Sequence, residues 1–360
     1  MILLTMCFAI LAIGGFTGSI HAQGSQPTLL KRTIQVTVKR YLRYWKNPAA
    51  AEPVYNTYSW VPQINFDVLG AVASGDQFSA EFDTPDDKPW INFKMHTNAL
   101  EPDELSNIRI EDTLSDGDLE KKAILSEGLV PFRIKFKRAA GGAETVLFSG
   151  KVKVGTYLLD QKIPEYKGKK DFFVDYDWHL PLAYLWLNPS IDHDVPRLST
   201  SFCLRSIDSQ TKMVALLFYN GKEISKYESS GNNIRSEMSS PAGEPSHRWS
   251  IAEFTFNNVM GFNHSRSNND YSSQFFLDKN PGEYEVKVLR EGQLARSFKF
   301  SVGSDGKIVD NKIAANAKLN GVRMIFAAKV SGTGDGAWNA NSWSTEALFG
   351  NPLAGFTVTP

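Results

Sequence analysis

Residues Asp278 to Val302 read Asp-Lys-Asn-Pro-Gly-Glu-Tyr-Glu-Val-Lys-Val-Leu-Arg-Glu-Gly-Gln-Leu-Ala-Arg-Ser-Phe-Lys-Phe-Ser-Val. Tyr284, Val286 and Val288 alternate with Glu285 and Lys287; Phe298, Phe300 and Val302 alternate with Lys299 and Ser301. Alternation with a period of two gives each strand one apolar and one wet face, and the turn at Arg290-Glu-Gly-Gln293 joins them into a hairpin. A lone hairpin is unstable in water, so this one predicts a second sheet lying on its apolar face.

The same pattern extends outward. Lys31–Leu42 (Ile34, Val36, Val38), 63–70, 77–82 and 90–95 read as short strands, with turn signals at Ser74-Gly-Asp76 and Thr84–Pro89. Gly128–Arg138 and the return through Val146, Phe148, Val152 and Val154 form a second hairpin that can be laid beside the first. Leu180–Leu187, Arg197–Ile207, Met213–Tyr219 and Trp249–Phe256 supply further strands, and Asn220-Gly221 is a strong hairpin-turn signal. Tyr157–Asp175, rich in Lys, Pro and Gly, reads as a linker. Beyond 303, Ile313–Leu319 reads as a helical turn, Val322–Val330 as one strand and Gly332–Gly336 as flexible; Trp338, Trp343, Phe349 and Phe356 are too apolar to hang free. The expected fold is all-β: two tandem antiparallel sandwiches at 31–156 and 175–303, a linker at 157–174, and a C-terminal extension, 304–360, that packs back.

Asp278, Gly282, Tyr284 and Val286 can be set against the Asp-x-Gly-x-Tyr-x-Cys segment of immunoglobulin-like domains, with one extra residue between Asp278 and Gly282. The stretch resembles the disulfide-free immunoglobulin-like modules of exported bacterial proteins. The resemblance implies a sandwich in which the Tyr284 hydroxyl returns to the backbone as a corner tyrosine, and Val286 stands in the cysteine position facing Leu204 or Phe202. It brings no functional residues with it.

Composition narrows the classes. Thirty-nine basic residues balance thirty-nine acidic ones in 360, so no overall field favours nucleic acid. Residues 1–22 carry no Lys, Arg, Asp or Glu and contain an apolar core at Phe8–Ile13, then Gly14–Ser19 and His21-Ala22. That layout predicts a secretory signal cleaved after Ala22, no membrane span after cleavage, and a periplasmic or secreted protein. Cys203 is then the sole cysteine of the mature chain and reads as a small buried hydrophobe.

Candidate sites are few. Tyr44, Trp45, Trp60, Trp338 and Trp343 are the aromatics that would stack on a glycan; the competing role is core filling. Asp192-His193-Asp194 is the cluster most like a metal site, against a solvated turn between Pro189 and Pro196. Asp112–Glu120 superficially suggests Ca²⁺, but Leu114 and Ala123 occupy two EF-hand ligand positions, and Ser115 with Asp118 reads as a helix cap. No cofactor is expected. Residues 76–120 carry thirteen acids and three bases, and 121–170 four acids and twelve bases, which predicts neighbouring strands with paired charges. The leading expectation is a non-enzymatic binding or structural envelope module with a protein or glycan partner. The alternatives are a secreted carbohydrate-active hydrolase using carboxylates near Asp175, Asp177 and Asp192, and a Ca²⁺-dependent adhesion module.

Overall fold

The computed structural model describes residues 26–45, 54–96, 105–110, 115–139, 141–159, 161–162, 164, 167–190, 193–205, 207, 211–229, 234–239, 249–262, 272–316, 319 and 323–337. The fold is all-β. Eight strands form the first sheet: β1 (Thr28–Trp45), β2 (Val54–Leu69), β3 (Gln77–Asp83), β4 (Pro89–His96), β5 (Leu105–Ile110), β6 (Gly128–Lys137), β7 (Thr145–Leu158) and β8 (Lys170–Val174), in the order β1-β2-β5-β4-β3-β6-β7-β8. The linker expected at 157–174 therefore hides a strand. β7 runs on to Leu158, and β8 pairs with it from Val154↔Val174 to Leu158↔Lys170. The Lys-rich turn masked the short run Phe172-Phe-Val174, of which Phe172 and Val174 are buried.

The first body is also one continuous sheet, where two packed sheets were expected. Its ends meet by side-chain packing. Arg40 of β1 pairs with the fully buried Asp171 of β8, which also accepts from the Tyr157 hydroxyl at 2.9 Å. The Trp60 ring of β2 lies 6.0 Å from that of Phe172. α1 (Asp116–Lys122) crosses one side, with Ser115 accepting from the Asp118 N–H as the predicted cap. The opposed charges of the two sequence halves do pair across β3 and β6: Lys135–Glu81 at 2.7 Å and Arg133–Asp83 at 2.8 Å.

The second body begins after a 3₁₀ turn at Asp177–His179. Its strands are β9 (Leu182–Ser190), β10 (His193–Arg205), β11 (Met213–Tyr219), β12 (Lys222–Ser229), β13 (Ile234–Ser239), β14 (Trp249–Met260), β15 (Phe275–Phe276), β16 (Gly282–Arg290), β17 (Gln293–Val302), β18 (Met324–Ala327) and β19 (Lys329–Val330), with a short α2 (Ile313–Asn316) before β18. One sheet runs β13-β14-β10-β9-β18, with β15 beside β14; the other runs β12-β11-β16-β17-β19. Phe202, Leu204, Phe254, Val286, Phe298 and Phe300 fill one shared core. The hairpin at 282–302 pairs in the expected register, Gly282↔Val302 through Arg290↔Gln293. The Tyr284 hydroxyl donates to the Asn280 carbonyl at 2.6 Å. Both matched hairpins open on a glycine in the left-handed region, Gly128 (φ 134°) and Gly282 (φ 146°).

Val322–Val330 breaks at Ala328, whose N–H bonds the Pro181 carbonyl at 2.8 Å. The chain crosses there from one sheet to the other, so β18 extends β9 and β19 extends β17. The described part of the extension thus packs on one flank of both sheets, while Trp338, Trp343, Phe349 and Phe356 lie outside the described residues. Gly332–Gly336 is clamped. Asp335 is 5% exposed and ion-pairs with Arg296 at 2.6 Å, and the Gly334 carbonyl accepts from Arg290.

The two bodies share apolar packing. In β9, Ala183 and Leu185 face the sandwich core, while Leu182, Tyr184 and Trp186 face the first sheet. Both faces are covered, which is why Leu-Ala-Tyr-Leu-Trp-Leu187 is a continuous apolar run. Tyr176, Trp178, Cys203, Trp249 and Ile325 belong to the same cluster as Val36, Phe172 and Val174.

Candidate functional site

Among the aromatic and metal-site candidates only the side chain of Trp60 is among the described residues. Trp60 is corrected to a core residue: it is fully buried, donates its indole N–H to the Ser126 carbonyl at 3.0 Å and meets Trp90 edge-on at 5.1 Å. Its place between the meeting ends of the first sheet leaves no face for a sugar. Tyr44 and Trp45 end β1 opposite Tyr55 and Val54, and their side chains lie outside the described residues. Trp338, Trp343 and Asp192 also lie outside them. The backbone of His193 and Asp194 opens β10, with His193 opposite Ser190, where a turn was expected; their side chains are not described. Among the described residues no cluster of three metal-ligating side chains occurs.

Asp177 is not open to a substrate. Its carboxylate pairs with Arg205 and accepts the Trp249 indole N–H at 3.0 Å. Asp175 accepts the Asp177 N–H at 2.9 Å and sits 3.3 Å from Lys153. Both acids are therefore committed to the joint between the bodies. Arg205 reaches on from Asp177 to the Ala337 carbonyl, and its own N–H donates to Asp335 at 2.6 Å. Arg296, fully buried, donates to the Leu180 and Cys203 carbonyls at 3.1 Å each. This network ties the turn between the bodies, β10, β17 and the extension into one unit.

Beside it lies a cleft of about 290 Å³ between β1, β2 and β5 of the first body and β14 and Arg323, just before β18, of the second. Arg32 and Arg323 line it with Asp67, Asn107 and Glu253. Arg323, the residue before β18, lies over the Trp186 ring with its guanidinium 3.9 Å from the ring centroid. Its guanidinium stands 3.9 Å from Glu253, beyond hydrogen-bond reach. The buried Nε of Arg32 has no hydrogen-bond partner among the described residues, nor has the buried Tyr184 hydroxyl. Burial, then repulsion from Arg323, lowers the pKa of Arg32; burial lowers that of Arg323. Burial likewise holds the Tyr184 hydroxyl neutral.

Sequence reading missed this set because positions 32, 184 and 323 share no local motif. A signal does exist. Arg32 stands two residues before Ile34 and Arg323 two before Ile325, each in phase with a buried apolar residue. No family model matches the sequence, and no curated protein is significantly similar to it.

Proposed function

We propose that this chain is an exported, non-enzymatic binding module whose second body is an immunoglobulin-like sandwich, and whose partner, a protein or glycan, seats at the cleft between the bodies. The strand order supports the sandwich reading: β13-β14-β10-β9 against β12-β11-β16-β17 matches the D-E-B-A and C′-C-F-G arrangement, with Tyr284 in the corner position at the start of the F strand. The charge-free apolar run in 1–22 supports export. The observation that carries the binding reading is the cleft itself. A recess lined by arginines, carboxylates and an amide is held open by a joint cored with apolar side chains, so its polar groups are pre-positioned.

Two measurements test it. Tagged protein recovered from the periplasm or medium should start at Gln23; retention in the cytosol at full mass refutes export. Capture of envelope proteins and extracellular glycans should then be compared between the parent and Asn107→Trp. Asn107 is exposed and lines the cleft, so a tryptophan there plugs the recess. A partner held equally by both proteins binds elsewhere and refutes the seat.

A further inference from the structure

We propose that the cleft between the bodies is an oxyanion-binding site in which Arg32 and Arg323 grip the carboxylate of a sugar acid or another singly charged acid. The inference rests on the cleft being the binding seat and adds the chemistry of what enters it. Forked guanidinium donors match a carboxylate in plane and spacing better than any other side chain does. In folded proteins such groups, once desolvated, are paired, because an unpaired buried charge is costly. Here two of them line one recess: Arg323 has only a loose 3.9 Å ion pair with Glu253, and the buried Nε of Arg32 has no partner among the described residues. Arg32 is half-buried, with its Nε closed to solvent and unbonded.

The neighbouring acids set the charge of the ligand. Asp67 raises the pKa of both arginines without pairing with either, and its carboxylate accepts from the Asn107 amide at 2.9 Å. Glu253 stands on the Arg323 side. Two positive and two negative groups in one recess tolerate one added negative charge better than two, which favours a carboxylate over a phosphate dianion. The acids and the Asn107 amide also suit hydroxyl groups, hence a sugar acid.

The test is isothermal titration of the full chain at low ionic strength with D-galacturonate, its methyl ester and inorganic phosphate. The ester keeps the ring and hydroxyls and removes the charge. Galacturonate should bind one to one, with the ester at least tenfold weaker and phosphate weaker than galacturonate. Arg32→Met and Arg323→Lys should each weaken galacturonate at least tenfold. Arg32→Met should also raise the melting temperature of the free protein, because it removes a guanidinium whose buried Nε has no partner among the described residues. That readout stands even if another variant folds poorly. Equal binding of acid and ester overturns the inference and leaves the cleft as a neutral polar seat. Phosphate binding in preference to galacturonate overturns the choice of carboxylate. If neither sugar nor phosphate binds, or if Arg32→Met leaves binding unchanged and lowers the melting temperature, the oxyanion site falls. Failure of every probe together with equal capture by Asn107→Trp removes the cleft as a seat altogether.

Discussion

Asp335→Ala should be among the most damaging single substitutions in the second body. Asp335 gives one carboxylate oxygen to the fully buried Arg296 at 2.6 Å and the other to the backbone N–H of Arg205 at 2.6 Å. Arg296 keeps its carbonyl partners Leu180, Ala295 and Cys203 without Asp335, so its donors stay largely satisfied but its charge does not. Removing one member of a buried ion pair costs about 3–5 kcal/mol, and an orphaned backbone donor about 1–3 kcal/mol. The two losses overlap, so the expected cost is ~4 kcal/mol, roughly a thousandfold in the folding equilibrium. Asp335→Asn keeps an acceptor for Arg205 and should cost about half as much, ~2 kcal/mol. Urea unfolding followed by tryptophan fluorescence reads both. In an Arg296→Met background Asp335→Ala should lose most of its effect, because no buried charge remains to be stranded. A cost below about 1 kcal/mol in the parent, or one equally large in both backgrounds, would refute the reasoning.

Three further outcomes are expected. Tyr284→Phe removes the 2.6 Å bond to the Asn280 carbonyl in a buried setting and should cost about 1–2 kcal/mol in urea unfolding with the strands kept by circular dichroism; a neutral result would mean the hydroxyl is dispensable. His179 is buried among Tyr176, Trp178 and Tyr184, and burial pushes its pKa from 6.5 down to about 3. The unfolded chain protonates it first, so its contribution is whole above pH 6.5 and falls by about 1.4 kcal/mol per pH unit towards 3. His179→Met should flatten that part of the stability–pH profile, and an unchanged slope counts against it. Cys203 is buried and its thiol pKa is raised by desolvation, so alkylation by iodoacetamide should proceed only at the rate of unfolding; rapid labelling of native protein would show an open site.

What the sequence made legible follows from locality. The 282–302 hairpin, the Ser115 cap and the pairing of charges across β3 and β6 depend on residues near in sequence or on simple alternation, and each stands as read. The eighth strand of the first sheet was lost because five residues in a Lys-rich stretch carry too little pattern. Its union into one sheet was invisible, since alternation shows which face is wet but not which strands are neighbours. Trp60 illustrates a related limit: an aromatic in a strand reads as platform or core until the opposite wall is known. Arg296 is a clue of another kind. It lies in phase with Phe298, Phe300 and Val302, so a charge was written into the buried face of the same hairpin that decided the fold. A charge at an apolar phase requires a partner, which for Arg296 is Asp335, whereas the buried Nε of Arg32 has none among the described residues.

The crossing of the extension from β18 to β19 has a bearing on how the chain is made. These two short strands cover the otherwise bare rims of β9 and β17, segments translated earlier. Until Met324–Val330 has emerged, the growing sandwich presents two open rims able to pair with any strand they meet. Closure thus waits on synthesis of the extension, and Asp335, the counter-charge of the buried Arg296, lies further still along the chain.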